Sequence, residues 1–339
     1  MAGFCAFLLL LAPISQKVCA QDSAAKESRI AQANRTLGRG INLGNCLEAD
    51  AEGAWGVTLK PGYFAAIKKA GFDTVRLPIK WSAHAEKEAP FTIDPVFAAR
   101  VDWAIEQALK NRLNIIVNIH HYGEMDQNPD GELPRLLSLW EQIATRYRDQ
   151  PKQVYLELLN EPHDKLTNEK WNGILTKVLA VVRKSHPERP IIVGPGSWNA
   201  IWALEKLQLP KEDDSLIVTV HFYDPFEFTH QDAPWAPESK KWKGRTWKGT
   251  EAEQLAIRKS LEKAAAWGKA QKRPIFLGEF GAYEAADLES RALWTTFIED
   301  EAKSLGFSRA YWEFCSGFGA YDPKTDQWKP KLLSALIHP

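Results

Sequence analysis

The sequence predicts an α/β fold, a single (β/α)8 barrel, and three observations carry that expectation. From about residue 37 to the end, eight short β-branched or apolar runs alternate strictly with eight longer helix-like stretches. Such alternation builds parallel sheets, closed or open. The first turn, Asn42-Leu43-Gly44-Asn45-Cys46-Leu47-Glu48, lacks the G-x-G-x-x-G turn that usually follows the first strand of an open nucleotide-binding sheet. Finally, 339 residues contain no Ser/Gly linker, internal repeat or low-complexity tail that would mark off a second module, and one barrel fits that length.

The strands are expected at 40–44 (GINLG), 74–78 (TVRLP), 115–119 (IIVNI), 154–159 (VYLELL), 191–193 (IIV), 215–222 (SLIVTVHF), 274–277 (PIFL) and 310–314 (AYWEF). Each is short, rich in β-branched or aromatic residues, and ends on polar residues or Gly. Helix-like segments lie between them near 60–70, 95–111, 133–148, 168–186, 200–207, 250–271 and 287–305, with a last short one at 331–337. Their apolar residues recur at three-and-four spacing, as in Val101, Ile105, Ala108 and Leu109. The longest irregular stretch, 223–249, is rich in Pro, Trp and Lys and reads as a functional loop after the sixth strand.

Residues 2–14 (AGFCAFLLLLAPI) form an apolar run, followed by Val18 and Ala20 at the small-residue positions of a cleavage site. The run is too short to span a bilayer and has the length of a signal-peptide core. Residues 1–20 are therefore expected to be a signal peptide cut after Ala20, 21–36 a lead-in, and 37–339 the barrel domain of a secreted protein. Removal of the leader takes Cys5 and Cys19 with it, leaving Cys46 and Cys315. These follow the first and last strands, so a bridge between them is open once the barrel closes, as are two buried thiols. Asn34-Arg35-Thr36 spells a glycosylation sequon.

Lys+Arg and Asp+Glu each number 43, and the leader carries only Lys17 of these. The balance offers no basic footprint for nucleic acid and no polybasic membrane patch, and a monomer is expected. The 14 Trp beside 15 Phe and 8 Tyr are out of line. An indole N–H needs a partner when buried, so some of these rings are expected to line a surface that binds something flat and partly apolar. Trp103, Trp140, Trp171, Trp267 and Trp294 fall in helices and should pack beneath them. Trp235, Trp242 and Trp247 fall in the long loop, as candidate platforms.

Barrels of this kind build their sites at the C-terminal ends of the strands. There the sequence places Asn42 and Glu48, Arg76, His120 with His121, Asn160-Glu161-Pro162, His221 with Tyr223, Glu279, and Trp312 with Glu313. Charge in such positions is too expensive to serve packing alone. Glu161 follows strand four and Glu279 strand seven, which lie across the cavity from one another. Two carboxylates facing one ligand, with unequal surroundings, are what retaining glycoside hydrolysis needs.

These residues also carry a resemblance. Leu159-Asn160-Glu161-Pro162 and Gly278-Glu279-Phe280-Gly281 resemble the acid/base and nucleophile motifs of glycoside hydrolase family 5. Val75-Arg76-Leu77-Pro78, Ile119-His120-His121-Tyr122, Val220-His221-Phe222-Tyr223 and Tyr311-Trp312-Glu313-Phe314 fall at the matching strands. The likeness runs from about residue 37 to 337. It is strongest to bacterial endo-β-1,4-glucanases with broad glucan and mannan activity, in stretches 42–49, 224–231 and 312–319. It implies Glu161 as acid/base and Glu279 as nucleophile, with Asn160 on the 2-hydroxyl of the sugar at the cleavage site. Arg76 would hold Glu279 ionised with Tyr223 beside it, and His221 would lie close to Glu161. His120 and His121 would bind the sugar, and Trp312 would be its stacking floor. Asn42, Glu48, His230 and Trp235 are candidate supporting or substrate contacts.

The expected activity is thus a retaining endo-β-1,4-glycanase acting on cellulose-type β-glucan, without metal or organic cofactor. Attack on β-mannan by the same chemistry is the alternative. A barrel that binds polysaccharide without cleaving it is the alternative from another class, but it would not need both carboxylates. His120, His121 and His221 as metal ligands would call for His-x-His on the first strand, where Gly40-Ile41-Asn42 stands instead.

Overall fold

The computed structural model describes residues 27–338 together with Met1 and Gly3. The expected signal peptide, with Cys5 and Cys19, lies outside the described residues. In chain order the elements are α1 (Arg29–Leu37), β1 (Arg39–Asn42), α2 (Pro61–Ala70), β2 (Thr74–Leu77), α3 (Pro95–Lys110), β3 (Asn114–Asn118), α4 (Gly123–Gln127), α5 (Pro129–Arg146), β4 (Val154–Glu157) and α6 (Asn168–Ser185). There follow β5 (Ile191–Val193), α7 (Gly196–Asn199), β6 (Leu216–His221), α8 (Phe226–Thr229), α9 (Glu251–Gln271), β7 (Ile275–Glu279), α10 (Leu288–Ser304), β8 (Ser308–Tyr311), β9 (Tyr321–Asp322), β10 (Gln327–Trp328) and α11 (Pro330–Leu336).

Strands β1 to β8 pair in sequence order and in parallel, and β1 pairs back onto β8 to close the barrel. The expected fold class is the one observed. Local chemistry sets the helix ends. Thr250 and Glu253 form a reciprocal capping box on α9, Asp287 caps α10 through the Ser290 N–H, and Pro95 and Pro129 open α3 and α5. The helix expected at 200–207 is 3₁₀ over Ile201–Lys206, and α5 begins at Pro129, where the Asn128 side chain caps it. No described helix is long and apolar enough to cross a membrane.

Side chains alternate across each strand, and this alternation divides the interior into layers. Tyr155, Ile116, Ile192, Ile217, Phe276 and Ala310 form an apolar plug inside the barrel, continuous with Ile30 and Leu37 of α1. Val154, Leu156, Val218 and Val220 belong instead to the larger core shared with the helices. Helix α1, which falls in the expected lead-in, closes the floor of the barrel. Tyr155 donates to the Ala33 carbonyl at 3.0 Å, and the Asn34 amide donates to Ile275 O at 3.1 Å while accepting from Ser308. Asn34 is 2% exposed, so the sequon asparagine is a buried structural residue and not an available acceptor.

The helix tryptophans behave as expected, and their N–H groups show what they add. Trp140 donates to Leu158 O at 2.9 Å, Trp171 to Gly194 O at 2.8 Å, and Trp294 to Asp224 O at 3.0 Å. Trp81 donates likewise to Asn118 O at 3.0 Å. Each accepting carbonyl lies at or just beyond the C-terminal end of a strand, so the buried rings brace the loops that carry the polar residues. Trp140→Phe would leave the buried Leu158 carbonyl unpaired. It is expected to destabilise the fold by about 1–3 kcal/mol, read as a lowered denaturant midpoint; an unchanged midpoint would remove the bracing role.

Candidate active site

At the C-terminal mouth the apolar plug gives way to a charged layer centred on Arg76. Its side chain is fully buried, and its guanidinium meets four residues. Nε and Nη2 donate to the two oxygens of Glu157, each at 2.7 Å. Nη1 donates to Glu279 Oε1 at 2.6 Å and Asn42 Oδ1 at 2.9 Å, and Nη2 also donates to Asn160 Oδ1 at 2.7 Å. The Asn42 amide donates in turn to the carbonyls of Gly278, Ala310 and Tyr311. Asn42 thus ties Arg76 to the ends of β7 and β8 and stands behind the ligand-facing layer. Because Arg76 pins Asn160 Oδ1, the Asn160 NH₂ is left to donate elsewhere.

Glu279 ends β7 with both oxygens occupied: Arg76 on Oε1, and the Tyr223 hydroxyl donating to Oε2 at 2.8 Å. Burial pushes its carboxyl above the usual range, while His221, Arg76 and Tyr223 pull it back. With a guanidinium and a phenol both donating to it, the ionised form is the one this geometry holds. Glu161 differs in every respect. It sits in the left-handed region (φ 47°), its side chain is 24% exposed, and it accepts from His221 Nδ1 at 2.7 Å. Burial pushes its pKa up to about 7, against the pull of Arg76 and His163. The two carboxylates and His221 offer atoms within 4.8 Å of one another, so both carboxylates reach a single ligand.

Burial pushes His221 down to about 4, so it is neutral. Its Nδ1–H serves Glu161, and its Nε2 faces the Asn199 amide at 3.4 Å. His120 is fixed in the same way: the Asn118 amide lies 3.0 Å from Nδ1, and Asn118 Oδ1 is taken by the Ile79 N–H. The His120 proton is therefore on Nε2. The ring also stacks on Trp312, at 5.8 Å between centroids and 7° between planes. Glu161, His221 and Glu279 could ligate a metal by distance alone. However, both Glu279 oxygens already accept from Arg76 and Tyr223, and His221 Nδ1 faces Glu161 Oε1.

The remaining expectations divide. His121 is exposed at the rim, edge-on to Trp55 at 5.7 Å. Trp235 is 58% exposed and packs edge-on to Tyr283 at 5.0 Å, forming an open aromatic face on the long loop. His230 is buried behind Tyr223, stacked on Phe226 at 4.0 Å. Glu48 takes the supporting place of its two expected roles: it is fully buried and accepts from the backbone N–H groups of Asn45 and Cys46, so it braces the first loop. Glu313 does the same for the last loop, accepting from Cys315, Ser316 and Phe318. The bridge left open between Cys46 and Cys315 is not formed; both are free, buried thiols, and burial raises both pKa values. Trp247, a candidate platform, is buried against Phe297, while Trp242 packs edge-on to Phe226.

Trp198 and Trp55 are exposed rings near the mouth that were not among the residues expected from the sequence. Trp198, 53% exposed, stacks on His163 at 4.9 Å, and that histidine contacts the Glu161 carbonyl at 2.6 Å. Trp55 is 46% exposed. Both stand on loops that follow strands at the active mouth, and that position was the available signal. Glu157 also went unread, although a carboxylate inside an apolar strand, two residues from inward-facing Tyr155, must find a cation.

The comparisons agree with this arrangement. Residues 37–317 match the family model for cellulase (glycosyl hydrolase family 5). Endoglucanase H of Acetivibrio thermocellus is 33% identical over 90% of this chain, which spans only 33% of that relative. Thermotoga maritima Cel5A, solved in complex with cellobiose, superposes with a TM-score of 0.90 at 49% identity, covering 91% of this chain and all of that one. The same enzyme solved with mannotriose gives identical figures. A family match over most of the chain, on a barrel whose mouth holds Glu161 and Glu279 within reach of one ligand, is decisive: the chain belongs to glycosyl hydrolase family 5.

Proposed function

We propose that the chain is an exported, retaining endo-β-1,4-glucanase. The observation that carries the reading is the pair Glu161 and Glu279, close together and unequally held: Glu279 accepts from Arg76 and Tyr223, and Glu161 from His221. Glu279, ionised between Arg76 and Tyr223, attacks the anomeric carbon. Glu161, protonated near neutrality, gives its proton to the departing glycosidic oxygen. A glycosyl–Glu279 ester forms; Glu161, now a carboxylate, then takes a proton from the water that attacks the anomeric carbon, and the bond to Glu279 breaks, restoring both groups. The Asn160 NH₂, left free because Arg76 occupies its oxygen, donates to the sugar 2-hydroxyl. The His120 Nε2–H binds a further hydroxyl, over the Trp312 floor. Trp55, Trp198 and Trp235 extend the surface as stacking faces for sugars farther along the chain. A neutral polymer needs no electrostatic steering, in keeping with the balanced charge.

The Thermotoga maritima complexes with cellobiose and mannotriose favour a second reading beside the first, a mixed glucan and mannan specificity. A panel of carboxymethyl cellulose, lichenan, xyloglucan, mannan and xylan, with product lengths recorded, tests both. Internal cleavage of the cellulose-type substrates is expected, yielding mixed oligosaccharides. Release of a single short product, or action on xylan alone, would overturn the assignment.

A further inference from the structure

Arg76 has five N–H groups, and each has an acceptor: Glu157 takes two, and Asn42, Glu279 and Asn160 take one each. Glu157 is itself fully buried, and both of its oxygens are spent on Arg76. It lies on β4, four residues before Glu161, and no step of the hydrolysis described above uses it. We propose that Glu157 is a positioning residue for that hydrolysis, locking the Arg76 fork so that its remaining N–H groups reach Asn160 and Glu279, and countering the Arg76 charge felt by both reacting carboxyls. The proposal rests on the roles assigned to Glu161 and Glu279.

The physical case has two parts. A fork-to-carboxylate pair fixes the guanidinium plane. With Nε and one Nη2–H held by Glu157, the other N–H groups of Arg76 are directed at Asn160, Glu279 and Asn42. The second part is charge. A nucleophilic carboxylate loses its negative charge as its bond to the sugar forms, so a buried cation bound to it alone would stabilise the starting state and oppose attack. Sharing that cation between Glu157 and Glu279 weakens this hold.

The groups facing the pair are Arg76 from β2, His120 and His121 after β3, Glu157 on β4 with His163 on its loop, His221 and Tyr223 from β6, and Trp312 after β8. His163 is flanked in turn by Asp126 and Asp164. Among these, Glu157 raises the Glu161 pKa and Arg76 lowers it. Neutralising Glu157 therefore leaves the Arg76 field at Glu161 uncompensated, and that carboxyl ionises more readily.

The test is Glu157→Gln, which keeps shape but removes charge and sets an NH₂ against Arg76. The active fraction is counted by trapping Glu279 with a slow-turnover 2-fluoroglycoside. Per active site, kcat is expected to fall about tenfold or more with KM within about threefold. The alkaline limb of kcat/KM should move to lower pH by about half a unit or more. A merely structural role would reduce the trapped fraction and leave both the limb and the per-site kcat in place, and that result overturns the proposal. Glu157→Asp keeps the charge but draws back the fork. It should lose kcat while keeping the wild-type limb, and it decides the matter if the Gln variant does not fold; a wild-type kcat in it overturns the positioning role. Glu279→Ala run alongside separates the two levels. An active Glu279→Ala removes the nucleophile assignment itself, whereas an inactive one beside an unaffected Glu157→Gln removes only the role of Glu157.

Discussion

Replacement of Glu279 by Ala is expected to reduce hydrolysis of cello-oligosaccharides by about 10⁴-fold or more, the scale on which loss of a covalent nucleophile acts. The reason is local. Glu279 is the carboxylate that two donors hold in place, Arg76 at 2.6 Å and Tyr223 at 2.8 Å. The vacated space admits a small anion. Azide should attack the anomeric carbon of an activated aryl β-glycoside from the side Glu279 occupied, expel the aryl oxide, and leave an α-glycosyl azide of inverted configuration. Circular dichroism must first show a folded variant, since Arg76 keeps Glu157 as its counter-ion but loses one acceptor. Wild-type turnover in the folded variant would sink the assignment, as would a β-configured azide product.

That test begins from residues legible in the sequence, and what made them legible also explains what was not. The strand–helix rhythm and the polar residues ending each strand reflect requirements that a barrel imposes locally, so the fold, Glu161, Glu279, Arg76 and His221 could all be read in order. What was missed depends on packing across the barrel. Helix α1 looks like a polar lead-in because only Ile30, Asn34 and Leu37 turn inward beneath the plug. Glu48 and Glu157 are both carboxylates near strand ends, yet one caps its own loop and the other reaches across β3 to Arg76. Chain order alone does not distinguish a carboxylate satisfied by neighbouring N–H groups from one satisfied by a distant cation. The tryptophans divide on the same ground. Trp247 and Trp235 lie in one loop, but Trp247 folds under against Phe297 while Trp235 stays open.

Glu161→Ala is expected to separate substrates by their leaving groups, because protonation is needed only where the departing oxygen is a poor leaving group. Unactivated oligosaccharides should lose about 10²–10⁴-fold in kcat/KM, the usual worth of a positioned general acid, whereas dinitrophenyl glycosides should form the glycosyl–enzyme at nearly the wild-type rate and then stall. Azide should release that intermediate as a β-glycosyl azide, the opposite configuration to the one expected from Glu279→Ala. The pH dependence follows from the same side chain. Its pKa is pushed up to about 7 by burial, so below that pH the proton is in place, and as pH rises through about 7 the acid form is lost and glycosylation slows. The wild-type enzyme should therefore show an alkaline limb near neutrality on oligosaccharides, and Glu161→Ala should lack it. If the limb persisted in that variant, the proton donor would have to be sought elsewhere. His221 could not replace Glu161 as that donor. Burial holds it neutral, and its own pKa near 4 places any loss of charge on the acid side of the profile.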